Sequence, residues 1–342
     1  MTNIYRCTPR QIRSYIIDII GAGLVPFVTS SPGMGKSEIH HSVAKDFRLK
    51  MIDHRLSTSQ PEDLSGYPDL KSGRAKFVPF DLFPTDDIKV PEGYEGWMLF
   101  LDEFNSAPKG VQAASYKLIL DRMVGQSKLH PNVAICAAGN LATDRAIVNP
   151  LSTAMQSRVI NLEMEINFKE WCEDVAIPRK YDPRIMAYLN QFPTKLMDFK
   201  PEHEDKSFCC PRTWGFVNEL IRGKDITSYH TPMLAGTLTS GIAVEFVQFT
   251  QIFKEIVNIH EIVRDPENCR LPFDLGAKWA VICHLMEVVD AKNMGQVAKY
   301  TERFDFPFRV LFMRSIIIRH PEMKQHPDFI KQMSVLAKYL AE

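Results

Sequence analysis

The stretch Ser30-Ser31-Pro32-Gly33-Met34-Gly35-Lys36-Ser37 holds the residue types needed to grip a phosphate chain. Gly33 and Gly35, with Pro32 and Met34 beside them, let consecutive main-chain N–H groups turn inward as a nest for anionic oxygens. Lys36 brings an ammonium within reach of β- and γ-phosphates, and Ser37 offers a hydroxyl to Mg²⁺. The stretch follows the apolar run Leu24–Thr29 and opens a helical pattern over Lys36–Phe47. The positive end of that helix adds to the anion site. A ligand-free strand-to-helix turn is the competing reading, and the strand before and helix after favour phosphate binding. The first position of the pattern, ordinarily glycine, is Ser30.

A second group supplies the chemistry that would act on such a phosphate. Trp97–Leu101 is an apolar strand pattern that ends in Asp102-Glu103. Phosphoryl transfer needs one acid to hold the Mg²⁺ shell and one group to orient the attacking water. Asp102 suits the first role and Glu103 the second. A strand running out into a solvated acidic turn is the bland alternative, and the upstream phosphate loop weighs against it. Val133–Ala138 is a further strand pattern followed by Gly139-Asn140. An amide there can hydrogen-bond the water or the γ-phosphate, although the same dipeptide is ordinary turn chemistry. Arg158, just before Val159–Leu162, and Arg212, in Cys210-Pro211-Arg212-Thr213, are of the type that stabilises a transferring phosphoryl group. Spacing alone assigns neither, and the surface-arginine reading stays open for both.

These residues need a frame. Thr8-Pro9 reads as a helix N-cap with proline at the first helical position, leading a helix through Ile12, Ile16, Ile19 and Ile20. Lys50–Leu56 reads as another strand. Short apolar runs alternating with helices predict a doubly wound α/β domain with a parallel sheet covered on both faces. Such a sheet binds its ligand at the carboxyl ends of its strands. Between Gln60 and Pro91 repeated Pro and Gly break the pattern, predicting an insertion with a hairpin around Lys71-Ser72-Gly73-Arg74. From about Asn167 the strand patterns fade, and Pro183–Gln191, Thr213–Ile221, Leu234–Ile256, Ala277–Val289 and Phe329–Leu340 read as helices. Phe246, Phe249 and Phe253 recur at helical spacing, which predicts core packing.

Composition sets outer bounds. A chain of 342 residues, 45% hydrophobic and 24% charged, has the mix of a globular protein of about two domains. Lys plus Arg and Asp plus Glu are both 41, a balance that argues against a protein built to coat nucleic acid. The seven cysteines include no CxxC pair, so free thiols in a reducing cytosol are expected rather than disulfides or zinc. Met1 to Arg10 carries no apolar core of a signal peptide, and no apolar run is long enough to span a membrane.

The order of these motifs resembles an AAA+ ATPase, and most of all the MoxR branch. Gln60-Pro61-Glu62-Asp63-Leu64-Ser65-Gly66 is similar to the stretch that opens that branch's helix-2 insertion. Phe104-Asn105-Ser106-Ala107 resembles its Asn-Arg-Ala, with Ser106 in place of the arginine. Pro150-Leu151 through Arg158 is similar to its block before the arginine finger. The resemblance covers roughly residues 8 to 225. It implies a P-loop αβα domain over 1–166, with the insertion at about 60–91. An all-α lid over 167–228 and a C-terminal helical extension over 229–342 would follow. It implies ATP and Mg²⁺ as cofactors, Asn140 as sensor 1, Arg158 as a finger reaching the neighbouring subunit's nucleotide, and Arg212 as sensor 2 in the lid. It further implies a cytoplasmic homo-oligomer, a hexameric ring, acting on a protein client such as a von Willebrand factor A domain protein. Ala142-Thr143-Asp144-Arg145 is similar instead to a stretch of McrB-like GTPases. That leaves a GTPase or nucleic-acid-linked motor as the alternative, with Arg145 as the rival trans-acting arginine.

Overall fold

The computed structural model describes residues 5–340 apart from 71–72, 74–75, 145–147, 203 and 255–258; of the side chains at 252–254 and 338–340 nothing is described either. The chain forms two compact units, Met1–Ile166 and Asn167–Glu342.

In the first unit a short strand β1 (Arg6–Cys7) leads into α1 (Pro9–Gly21). Thr8 caps that helix by a reciprocal pairing with Gln11, so two end N–H groups find acceptors. Then come β2 (Pro26–Ser30), α2 (Lys36–Asp46) and β3 (Leu49–Arg55). The insertion contains α3 (Pro61–Ser65) and a hairpin of β4 (Tyr67–Asp69) and β5 (Lys76–Val78). The hairpin matches the expected turn, whose tip residues Lys71, Ser72 and Arg74 lie outside the described residues. The chain continues through β6 (Gly96–Asp102), α4 (Lys109–Leu120), a small hairpin of β7 (Met123–Val124) and β8 (Ser127–Lys128), β9 (Val133–Asn140), α5 (Thr153–Gln156) and β10 (Ile160–Met164).

Six strands make one sheet in the order β1-β10-β2-β9-β6-β3, every neighbouring pair parallel. Period-two alternation sends Phe27, Leu99, Leu101, Ile135 and Ala137 to one face, where they share a core with Val111 and Leu118 of α4. The other face meets α1 and α2. The predicted parallel α/β sandwich is therefore present, with strand ends within one or two residues of the apolar runs. β1 was not foreseen, since two residues carry no period.

The second unit is helical. It contains α6 (Phe168–Trp171), α7 (Pro183–Gln191), α8 (Pro211–Ile221), α9 (Thr231–Ala235), α10 (Ser240–Lys254), α11 (Ile259–Arg264), α12 (Leu275–Val288), α13 (Met294–Thr301), α14 (Phe306–Arg319) and α15 (Pro327–Leu340). The single helix expected over Leu234–Ile256 is two. The chain turns after Ala235, where Gly236 and Leu238 bond back to Pro232 and Leu234, and α10 starts afresh at Ser240. Phe246 and Phe249 are buried and pack on Tyr188, with Phe246 also on Trp214. That aromatic core joins helices on both sides of residue 228. The Phe253 side chain lies outside the described set.

Candidate nucleotide site at the carboxyl end of the sheet

The loop from Ser31 to Gly35 links β2 to α2 at the carboxyl end of the sheet. Gly33 and Gly35 adopt φ of 74° and 94°, a left-handed backbone that side chains resist and that turns the peptide N–H groups inward. Met34 is buried and anchors the loop between them. Lys36 starts α2. Its Nζ donates to the Ser30 carbonyl at 3.0 Å, the Ser30 Oγ at 3.1 Å, the Ser31 carbonyl at 3.3 Å and the Asn140 Oδ1 at 3.3 Å. Ser30, where the pattern has glycine, is buried, so its hydroxyl becomes part of the lysine's cradle.

β6 delivers the acids. Ser37 Oγ donates to Asp102 Oδ2 at 3.3 Å, so a hydroxyl and a carboxylate oxygen sit together beside the loop. Magnesium takes oxygen ligands and keeps few from protein, with the remainder from phosphates and water. The Ser37–Asp102 pair fits that demand. Among the described residues no cluster of three or more His, Cys, Asp or Glu is placed to hold a metal.

Glu103 stands at φ 54°, ψ 35°, left-handed for a residue that has a Cβ. Its N–H donates to its neighbour's Asp102 Oδ1 at 2.8 Å. Its carboxylate accepts from Ser57 Oγ and pairs with Arg55 Nε at 3.5 Å. Arg55 ends β3, opposite Asp102 in register, and Ser57 lies in the 3₁₀ turn that follows. Sequence reasoning missed both residues. Only the parallel pairing of β3 with β6 brings them to Glu103, and no local motif marks it.

Asn140 ends β9, beside Ser30 in register. A second amide fixes it. Asn105 Nδ2 donates to the Asn140 carbonyl at 2.7 Å, and the Asn140 N–H donates to Asn105 Oδ1 at 3.0 Å. A Cβ at Gly139 would stand 2.2 Å from that Asn105 Oδ1, so the glycine is required by the clamp and not by turn chemistry. Beneath the loop, His40 stacks on Phe100 with centroids 4.4 Å apart, and its Nδ1 meets the Lys36 carbonyl at 2.8 Å. Burial pushes the imidazole pKa down to about 4, against the pull of that carbonyl bond. The neutral ring therefore donates from Nδ1, and its Nε2 is buried without a hydrogen-bond partner among the described residues.

The two arginines are elsewhere. Arg158 precedes β10, whose Ile160 pairs with Pro26 at the start of β2. It therefore lies at the amino end of the sheet, on the order of 15 Å along the strands from its own phosphate loop at ~3.3 Å per residue. Its guanidinium donates to the Ala154 carbonyl and lies 6.0 Å from the Tyr116 ring centroid. Its Nε is buried without a partner among the described residues. Arg212 is an exposed residue in the first turn of α8, in the helical unit. Arg145 is outside the described residues. The structure thus brings Lys36, Ser37, Asp102, Glu103 and Asn140 together and leaves Arg158 apart from them.

No protein-family model matches the sequence, and no curated protein matches it. Among solved structures the chain is similar to a candidate ATPase from Cytophaga hutchinsonii, at 14% identity and TM-score 0.37 over 95% of this chain and 79% of that one. It is similar to a RuvB variant from Thermotoga maritima, at 15% identity and TM-score 0.39 over 73% and 76%. NtrX from Brucella abortus matches at 12% identity and TM-score 0.34 over 96% and 67%. The parallel sheet with its glycine loop between β2 and α2 is the αβα arrangement of P-loop nucleoside triphosphatases.

Proposed function

We propose that this chain is a Mg²⁺-dependent ATPase of the AAA+ type, MoxR-like in its motifs, which works as a homo-oligomeric ring to remodel a partner protein. The observation that carries this reading is the meeting of Lys36, Ser37, Asp102, Glu103 and Asn140 at the carboxyl ends of three parallel strands. Glycines at positive φ, a lysine and a hydroxyl–carboxylate pair in one place are what binding a Mg²⁺-bound phosphate chain requires, which supports this reading.

The loop N–H groups from Gly33 to Ser37, with Pro32 shaping the turn, and the Lys36 ammonium bind the β- and γ-phosphates. Ser37 and Asp102 would hold Mg²⁺, which when bound neutralises charge on the phosphate oxygens. Glu103 and Asn140 place a water in line with the γ-phosphorus. The water oxygen bonds to phosphorus as the bond to the β,γ-bridging oxygen breaks. The proton passes to the Glu103 carboxylate, and the electron pair leaves with ADP. Glu103 must first turn from Ser57 and Arg55, so their grip sets a resting state.

The remoteness of Arg158 from its own loop supports its use in trans, completing the site of a neighbouring subunit in a hexameric ring. Residues 167–228 would serve as the lid, with Arg212 as its sensor, and 229–342 as an extension sharing the lid's aromatic core. Tyr67, Phe77 and Phe80 are exposed on and beside the insertion hairpin, which suits contact with a protein client, such as one with a von Willebrand factor A domain. No helix among the described residues is long and apolar enough to cross a membrane.

The test is phosphate release from ATP and from GTP, side by side, with subunit mixing. Arg158→Ala and Lys36→Ala chains should each be inactive alone and regain turnover when mixed, because an intact loop then meets an intact arginine. Mixtures that stay inactive would remove Arg158 from the trans role. Faster turnover of GTP would turn the assignment toward the McrB-like alternative.

A further inference from the structure

The helical unit contains a cavity of about 350 Å³ that the nucleotide chemistry does not use. Its wall is mainly apolar, with Trp279 of α12 and Phe306 and Leu311 of α14. Sites for small organic ligands typically start near this size, at roughly 300 Å³. Phe306 is partly exposed at the mouth, whereas its neighbour Phe308 is buried and packs on Trp279. The cavity is therefore a defined recess in a packed layer.

Three charged side chains share the wall. Arg314 donates to Glu173, and both are mostly buried, so these two neutralise one another. Lys169 is the remaining one, which leaves the lining with one surplus positive charge. The backbone here is also irregular. From Cys172 to Ala176 the helix loosens to π form, with the Ile177 N–H bonding to the Cys172 carbonyl. Such a one-turn widening spends backbone regularity, and it recurs at functional sites. Its effect here is to set Glu173 into the wall facing Arg314.

We propose that this recess is a binding site for a small amphiphile: an apolar, aromatic-sized body carrying one anionic group. The body fills the space between Trp279 and Leu311. The anion meets Lys169, with Arg314 held in place by Glu173 behind it. The lining shares no residue with the phosphate loop, and the proposal does not depend on the function proposed for that loop.

The test uses 8-anilinonaphthalene-1-sulfonate, an aromatic monoanion whose emission rises in apolar surroundings, titrated into the full chain with and without saturating Mg²⁺-ATP. The expected result is a single saturable site that ATP does not displace. Leu311→Trp, which fills the recess, should weaken it about tenfold or more, the equivalent of 1.4 kcal/mol. Lys169→Glu changes only an exposed charge and leaves the packing intact, so it reports even if Leu311→Trp folds poorly; it should weaken binding about threefold. The neutral analogue N-phenyl-1-naphthylamine should bind more weakly than the sulfonate and be insensitive to Lys169→Glu. Absence of saturable binding, displacement by ATP, or equal affinity across the wild type and both variants would overturn the proposal.

Discussion

The two units of this chain handle polar side chains in opposite ways. In residues 1–166, Lys36, Ser37, Asp102, Glu103 and Asn140 are drawn to the carboxyl end of the sheet, and the groups behind them are arranged to keep them there. In residues 167–342, buried charges are closed off in pairs such as Asp182–Arg184 and Arg314–Glu173, which tie helices and turns together. The first arrangement keeps charge available to a ligand, and the second cancels it. In the first unit the left-handed backbone at Glu103 and at the loop glycines falls within the site itself, whereas in the second Lys180 takes a positive φ away from any such cluster and the helices are held by caps and aromatic packing.

If that contrast holds, the first unit should react sharply to small chemical changes near its site. The largest expected effect is on acid stability. The unfolded chain protonates His40 more readily than the folded one, because burial holds the native ring neutral with its pKa near 4. Stability that is complete above a pH of roughly 6.5 should be lost as the pH falls toward 4, by about 3 kcal/mol. Denaturant melts of wild type and His40→Leu across that window should show the acid limb flatten in the variant. An unchanged limb would move the sensitivity to another group, such as half-buried His284 of the helical unit, whose pKa burial also lowers.

Next is the amide clamp. Gly139→Ala drives a Cβ into Asn105 and should cost about 1–3 kcal/mol of stability. It should cut ATP turnover roughly tenfold or more by displacing Asn140, while leaving ATP affinity within about twofold. Equal losses of turnover and affinity would mean that the clamp supports the whole loop and not the water. A smaller effect is expected at the resting contact. Ser57→Ala frees one oxygen of Glu103 and should raise basal turnover about fivefold, the worth of one hydrogen bond near 1 kcal/mol. A fall in turnover would instead make Ser57 part of the working geometry. The smallest effect is in the helical unit. Gly241 of α10 has open space around a would-be Cβ, so Gly241→Ala should stabilise the chain by about 0.5 kcal/mol in thermal melts, with activity unchanged.

The same contrast governs what could be read from sequence. The phosphate loop, Asp102 and Glu103 were legible because the chemistry dictates residue types in a short stretch and the flanking apolar runs locate the strands. Asn140 was legible only as a polar residue at a strand end. Its partner Asn105 and the reason for Gly139 depend on a contact 35 residues away. Ser57 and Arg55 reach Glu103 through strand register, which no local pattern encodes. In the helical unit α14 was missed because its apolar residues run almost all round the helix and leave no clear period. The break before α10 was missed because Gly236 sits in an otherwise continuous helical pattern.

Glu103 is the proposed water-activating group at a Mg²⁺-nucleotide held by the loop. Its most direct test is Glu103→Gln, measured for both equilibrium ATP binding and single-turnover hydrolysis. Affinity should stay within about threefold of wild type and hydrolysis should slow at least about a hundredfold, the usual scale for a lost general base. Hydrolysis at the wild-type rate, or a variant that no longer binds ATP although it is folded, would contradict that role.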